Sequence, residues 1–222
     1  GAASIPGMLT GVLLGLLTVV LGGLGWFAVL LAFFGVGALS TKFRYDEKVA
    51  RGVAEENEGA RGLGNVLGNA GIALAAVVGF AAVSTGEFPI DPDMFRLAFA
   101  GSLATATGDT LSSEIAGLFD TPRLVTTGER VSPGTDGAIT WQGELAGLLG
   151  AALVGLLAVV LLAVSQGSTT VVALVTVGGF AGMTADSVLG ATVEGDRLEN
   201  ETVNLLATLV GALASVLLSF VV

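Results

Sequence analysis

A chain of 222 residues that is 53% hydrophobic and 13% charged, with mean hydropathy +0.85, carries its charges in a few clusters between long uncharged stretches, which excludes a water-soluble globule. No Cys or His is present, so a disulfide framework, a Cys/His zinc site and a histidine general base are excluded, leaving Asp, Glu and hydroxyls for chemistry. Nineteen Asp and Glu against nine Lys and Arg resemble a salt-adapted archaeal protein and give no footing for nucleic acid.

The fold expected is an all-α membrane protein of about seven spans, since a span needs about 20 apolar residues and lipid leaves no open backbone group satisfied. The spans are read at 5–22, 24–40, 64–84, 94–118, 143–165, 169–190 and 203–222. Residues 1–222 then form a single polytopic domain: two N-terminal helices (1–40), a loop (41–63), and a core (64–222) with motif loops 119–142 and 191–202. The first span has no basic residue before it and a second span directly after it, unlike a signal peptide. The missing initiator Met points to a trimmed or tagged start.

Loop 41–63 could extend span two as a helix, since Lys42/Asp46, Glu47/Arg51 and Arg51/Glu55 are four apart, and its charges read as a solvated face except at Arg61. Glycine pairs such as Gly11/Gly15, Gly64/Gly68 and Gly143/Gly147 fit close helix packing in lipid. Trp26 and Trp141 read as interfacial anchors. Eight of the nine basic residues, all but Arg96, fall in alternate loops, which puts the N-terminus and those loops in the cytoplasm of a multi-pass cell-membrane protein. Asn200-Glu201-Thr202, on that side, is a chance glycosylation match.

Span four carries "ATATGDTLSSEIAG" (104–117), with Asp109 and Glu114 at its inner end, and ionisable groups at membrane depth mark function. Helical periodicity sets Thr105, Asp109, Ser112 and Ser113 on one side and Glu114 about 140° away. Either the helix unwinds near Gly108 or the two acids do different jobs. The "GDTLSS" at 108–113 recurs as "ADSVLG" at 185–190, with Asp109 and Asp186 77 residues apart, and Asn65 and Glu144 open spans three and five 79 apart. The offsets point to duplicated two-helix hairpins in parallel. Asn65/Asn69 and Asn200/Asn204 each present two amides on one face. "PGTDG" (133–137) is a turn that aims backbone donors and Asp136 into a small volume.

Carboxylates, amides and hydroxyls without a soft ligand suit a hard cation, Mg2+ above all, which pairs carboxylates with substrate phosphates. Phosphoryl transfer fits, although no GxxxxGK[ST] loop exists and no lysine follows Lys48. Phosphates would meet Arg61, Arg130 or Lys42, the "PGTDG" amides and the Asn pairs. A phosphate acceptor is largely ionised and needs no base, whereas an alcohol acceptor would need one, with Asp109 or Asp136 the candidates.

Five blocks in order, "TKFRYDEKVARGVAEENEGARGLGNVLGNAG" (41–71), "ATATGDTLSSEIAG", "PRLVTTGERVSPGTDGAITWQGELAGLLGA" (122–151), "GGFAGMTADSVLGAT" (178–192) and "NETVNLLATLVGAL" (200–213), resemble the transmembrane protein 19 family. That family includes the chloroplast phytyl-phosphate kinase of the tocopherol pathway and many archaeal members. The resemblance runs from about residue 41 to the end. It implies a CTP-type donor and a prenyl monophosphate acceptor (phytyl or geranylgeranyl) in the bilayer, giving the diphosphate. The matching positions are Arg61, Asn69, Asp109, Thr110, Ser113, Glu114, Pro133, Gly134, Thr135, Asp136, Gly137, Asp186, Ser187 and Asn204. Asn65 stands where many relatives carry Gln.

The catalytic and metal-ligating set expected is Asp109, Glu114, Asp136 and Asp186. Arg61, Asn65, Asn69, Thr110, Ser113, Gly134, Thr135, Gly137, Ser187 and Asn204 would bind CTP or another nucleoside triphosphate and the lipid phosphate, in a monomer or an oligomer. Two other readings use the same residues. One is a polyprenol kinase or lipid cytidylyltransferase, and the other is a cation or small-anion transporter, whose inverted halves would need an odd number of spans per repeat.

Overall fold

The computed structural model describes residues 5–54, 62–193 and 197–222. Among them are eight helices in chain order: α1 (Ile5–Gly22), α2 (Leu24–Lys42), α3 (Tyr45–Arg51), α4 (Leu63–Val83), α5 (Pro92–Ala116), α6 (Trp141–Leu161), α7 (Ser168–Gly190) and α8 (Asn200–Leu218). A two-stranded antiparallel ribbon, β1 (Arg123–Leu124) with β2 (Ala138–Ile139), closes the loop between α5 and α6. Six helices, α1, α2, α4, α6, α7 and α8, are long and apolar enough to cross a membrane.

The seventh long helix, α5, is the axis of the fold and packs against α2, α4, α6, α7 and α8. Its 25 residues rise about 37 Å, enough to cross a bilayer core. Because Phe99–Gly108 is buried throughout, α5 needs no lipid-facing stripe and can carry more polar residues than its neighbours. Its buried hydroxyls bond back into the helix, Ser102 Oγ donating to Phe99 O at 2.9 Å and Thr107 Oγ1 to Leu103 O at 2.7 Å. Such back-bonding satisfies these two buried hydroxyl donors.

Close approaches between glycines and neighbouring backbones fix helix direction. A Cβ on Gly182 would lie 2.8 Å from Ala207 O, and one on Gly211 2.9 Å from Gly101 O, so α5, α7 and α8 meet backbone to backbone. Ala104 faces Gly179 and Thr105 faces Gly182, so α5 and α7 run parallel. Gly143 meets Ser112 O and Gly147 meets Gly108 O, so α6 runs antiparallel to α5. Gly64 and Gly68 meet Glu201, and Gly71 meets Leu205, so α8 runs parallel to α4. The starts of α4, α6 and α8 and the ends of α5 and α7 therefore share one end of the molecule. Gly11 breaks the packing expectation, since a Cβ there would meet nothing within 4 Å, whereas its partner Gly15 abuts Phe27.

Three further expectations change. Trp26 is no interfacial anchor. It is 3% exposed and stacks between Phe80 and Phe99 at 4.7 and 4.6 Å between ring centroids, deep against α4 and α5. Trp141, 71% exposed at the first turn of α6, keeps an anchor's position. Loop 41–63 does not extend α2, because Arg44 turns left-handed (φ 51°) and α3 starts afresh, to stop at Gly52 (φ 70°). Nor is α3 a wholly solvated face, since Lys48 is 1% exposed.

Candidate functional site

The shared end is built from four junctions, each between segments far apart in sequence. Thr41, at the end of α2, donates to Glu114 on α5. Val53 covers Gly117 and lies 3.4 Å from the Cβ position of Gly134. Gly137 lies against Ser187 O and Ala191 at the end of α7. Glu201 on α8 lies over Gly64 and Gly68. Gly137 has φ 70°, and any Cβ would run into the α7 terminus, so this position needs glycine for both backbone and space.

Asp109 and Asp186 each follow a contact pair, Thr105 and Gly182, by four residues on parallel helices. One helical turn beyond that contact, both aspartates stand at the same level of the same end. Asp109 is on the penultimate turns of a helix unbroken from Pro92 to Ala116, with Thr110 and Ser113 beside it, Ser113 Oγ donating to Thr110 O at 3.1 Å. Ser187 follows Asp186 and donates to Met183 O at 3.3 Å.

The amides enter from the opposite helices. Asn69 Nδ2 donates to Asn65 O at 3.0 Å in the opening turns of α4, and Asn204 Nδ2 donates to Asn200 Oδ1 at 2.7 Å in those of α8. Thr208 Oγ1, bonded to Asn204 O at 2.9 Å and to Gly68 O at 3.4 Å, ties the two helices together at this level. The "PGTDG" turn is held by Thr135 Oγ1 donating to Ser132 O at 2.8 Å and by Val125 N donating to Gly137 O at 3.0 Å. Asp136 and the Gly134 and Thr135 amides are thereby carried to the end of α7. Thr140 caps α6 by accepting from Gly143 N at 3.0 Å, which starts that helix at Trp141. Arg61 lies outside the described residues.

Glu114 is set apart from the other acids. Its carboxylate takes Thr41 Oγ1 on one oxygen and Lys48 Nζ on the other, and Lys48 also donates to Ser40 O at 2.9 Å and Thr41 O at 2.8 Å. Since α5 does not unwind at Gly108, the 140° between Asp109 and Glu114 separates two jobs. Glu114 pins α3 and the last carbonyls of α2 to α5, and both of its oxygens are engaged in that junction. The charge pattern of residues 41–51 gave no sign of Lys48, but a carboxylate turned away from Asp109 toward a helix bundle already required a cation.

Around this cluster Arg44 and Arg51 pair with Glu47, and Arg51 also with Asp120. Among the described residues no three of Asp, Glu, His and Cys come close enough to hold a metal by themselves. Mg2+ does not require such a cage, since it is commonly bound by one or two carboxylates with substrate phosphates and water completing the shell. The carboxylates of Asp109 and Asp186, oxygen donors at one level of the shared end, fit it on those terms.

The profile of an integral membrane protein family, DUF92, matches residues 1–212. An uncharacterized membrane protein of Methanocaldococcus jannaschii is 40% identical over 202 residues, 88% of this chain and 77% of its own. Two proteins of Arabidopsis thaliana, the chloroplastic protein VTE6 and protein PGR, are 31% and 35% identical over 97% and 78% of this chain. The matches cover 65% of each plant protein's length. No solved structure gives a significant match.

Proposed function

The chain belongs to the integral membrane protein DUF92 family, and we propose that within it this protein is a kinase of membrane prenyl phosphates. A nucleoside triphosphate, CTP by preference, would donate its γ-phosphoryl group to phytyl or geranylgeranyl monophosphate. The supporting observation is the placement of Asp109 and Asp186 at one level of parallel helices, at the end of the bundle that also carries the Asn69 and Asn204 amides and the "PGTDG" turn. A site at the end of a membrane bundle can be reached by a nucleotide from water and by a lipid headgroup from the bilayer. The resemblance of the motif blocks to the transmembrane protein 19 family, which includes a phytyl-phosphate kinase, supports an isoprenoid acceptor.

In the reaction the bond between the γ-phosphorus and its bridging oxygen breaks, and an oxygen of the acceptor phosphate takes its place. Prenyl diphosphate and the nucleoside diphosphate leave. The acceptor is already largely ionised near neutral pH, so no residue has to remove a proton. What this chain must supply is position and charge balance. Asn65, Asn69 and Asn204 would donate to phosphate oxygens, as would the hydroxyls of Thr110, Ser113 and Ser187 and the amides of Gly134, Thr135 and Gly137. Asp109 and Asp186 would supply the negative charge that holds Mg2+, with water and the triphosphate's own oxygens completing its shell. Glu114 is assigned instead to holding the last turn of α5 in place. The basic residues of the loops at this end support a cytoplasmic face for the site.

The test is consumption of labelled CTP by protein purified in detergent, with Mg2+ and high salt. Turnover is expected only when geranylgeranyl or phytyl monophosphate is added. Asp109→Asn and Asp186→Asn should each lower kcat by about 100-fold or more, the scale seen when a preorganised electrostatic partner of the reacting group is lost. No turnover with any isoprenoid phosphate would refute the reading, and a product carrying a nucleotide would replace it with cytidylyl transfer.

A further inference from the structure

Glu144 has no role in the reaction just described, yet the packing of α6 on α7 brings it to the site. On these antiparallel helices a Cβ on Gly155 would lie 3.1 Å from Val172 O, and Ala151 Cβ lies 3.0 Å from the Cβ position of Gly179. Glu144 precedes Ala151 by seven residues and Gly155 by eleven, spacings that return to the same helical face. It therefore lies on the side of α6 that faces α7. Asp186 follows Gly179 by seven residues, so Glu144 and Asp186 stand level, two turns beyond a shared contact and at the same end.

A second observation concerns the carboxylate itself. Glu144 Oε1 is shielded from solvent and has no hydrogen-bond partner among the described residues. The start of α6 favours a negative charge through its dipole, but the backbone donor there, Gly143 N, is taken by Thr140 Oγ1. A carboxylate oxygen buried without a donor is costly and calls for a reason.

The other hairpin supplies a contrast. Gly79 packs on Phe95 across α4 and α5, and counting fourteen residues from each toward the shared end reaches Asn65 and Asp109. The same place thus holds a neutral amide beside Asp109 and a carboxylate beside Asp186. Two carboxylates attract a divalent cation, whereas an amide N–H can donate to a phosphate.

We infer that Glu144 and Asp186 form the side of the site that ligates the divalent ion accompanying the nucleotide, with Glu144 a ligand of that ion, while the Asn65 amide, on the Asp109 side, donates to a phosphate. This rests on the kinase reading for the identity of the nucleotide but not for the presence of the cation site.

The test is Mn2+ binding followed by electron paramagnetic resonance, on the full chain in detergent, with Mn2+ alone and with a non-hydrolysable CTP analogue. Glu144→Gln should weaken binding by at least about tenfold, while its Tm in EDTA stays at the wild-type value and Glu144→Asp retains most of the affinity. Should the Gln variant fail to insert, Glu144→Leu gives the same readout. Unchanged Mn2+ affinity in a folded Glu144 variant, or no Mn2+ binding by the wild type, overturns the inference. Glu144-dependent Mn2+ binding without turnover of any isoprenoid phosphate would refute the kinase and leave the cation site standing. Turnover with Glu144-independent Mn2+ binding would do the reverse.

Discussion

Lys48 and Glu114 form an ion pair with side chains 1% and 6% exposed. Among the described residues these two charges, removed from water, are held by each other and by Thr41 Oγ1, Ser40 O and Thr41 O, so removing either one strands the other. Lys48→Ala should destabilise the protein by about 3–5 kcal/mol, whereas the double replacement Lys48→Met with Glu114→Leu should recover most of the loss. Thermal melting in detergent measures both, and a Lys48→Ala protein as stable as wild type would refute the assignment. Neither change touches a group placed against substrate. On the proposed kinase reading, the double variant should therefore keep measurable turnover, unlike Asp109→Asn.

At the scale of the elements, glycines decide where helices touch. Gly182 allows α7 to meet Ala207 O of α8 and Thr105 of α5 at the same point, and a methyl group there has nowhere to go. Gly182→Ala should cost about 1–3 kcal/mol of stability and, by separating α5 from α7 one turn before the aspartates, weaken activity more than stability. Gly11 is the internal control. Its Cβ position is open, so Gly11→Ala should leave function intact and raise stability by about 0.4–1 kcal/mol through the unfolded state. Melting curves and turnover of the two variants side by side check both.

At the scale of the molecule, two helix directions and one polar end follow from the same packing. Residues 43–54, 117–140 and 191–193 gather there, and Asp93, Arg96 and Ser165 N meet at the other end, where Ser165 N donates to Asp93 Oδ2 at 2.7 Å. With no native cysteine, single replacements report sidedness directly. In right-side-out vesicles a membrane-impermeant maleimide should label Thr85→Cys and spare Ser132→Cys until the membrane is opened. The opposite pattern would place the candidate site outside the cell and away from cytoplasmic nucleotide.

The sequence by itself determined the membrane class, the seven long helices to within a few residues at most ends, and the grouping of Asp109, Asp186, Asp136 and the asparagines at one end. Hydropathy and loop charge are local quantities, summed along the chain and needing no knowledge of neighbours. Only tertiary structure decided that the most polar of the helices, α5, is the axis, that Trp26 is core, that Glu114 belongs to Lys48, and that Glu144 lies level with Asp186. Each of those depends on which faces of two distant helices come together, and that is set by the depth to which glycine contacts let backbones approach, a pairwise property that no single segment carries.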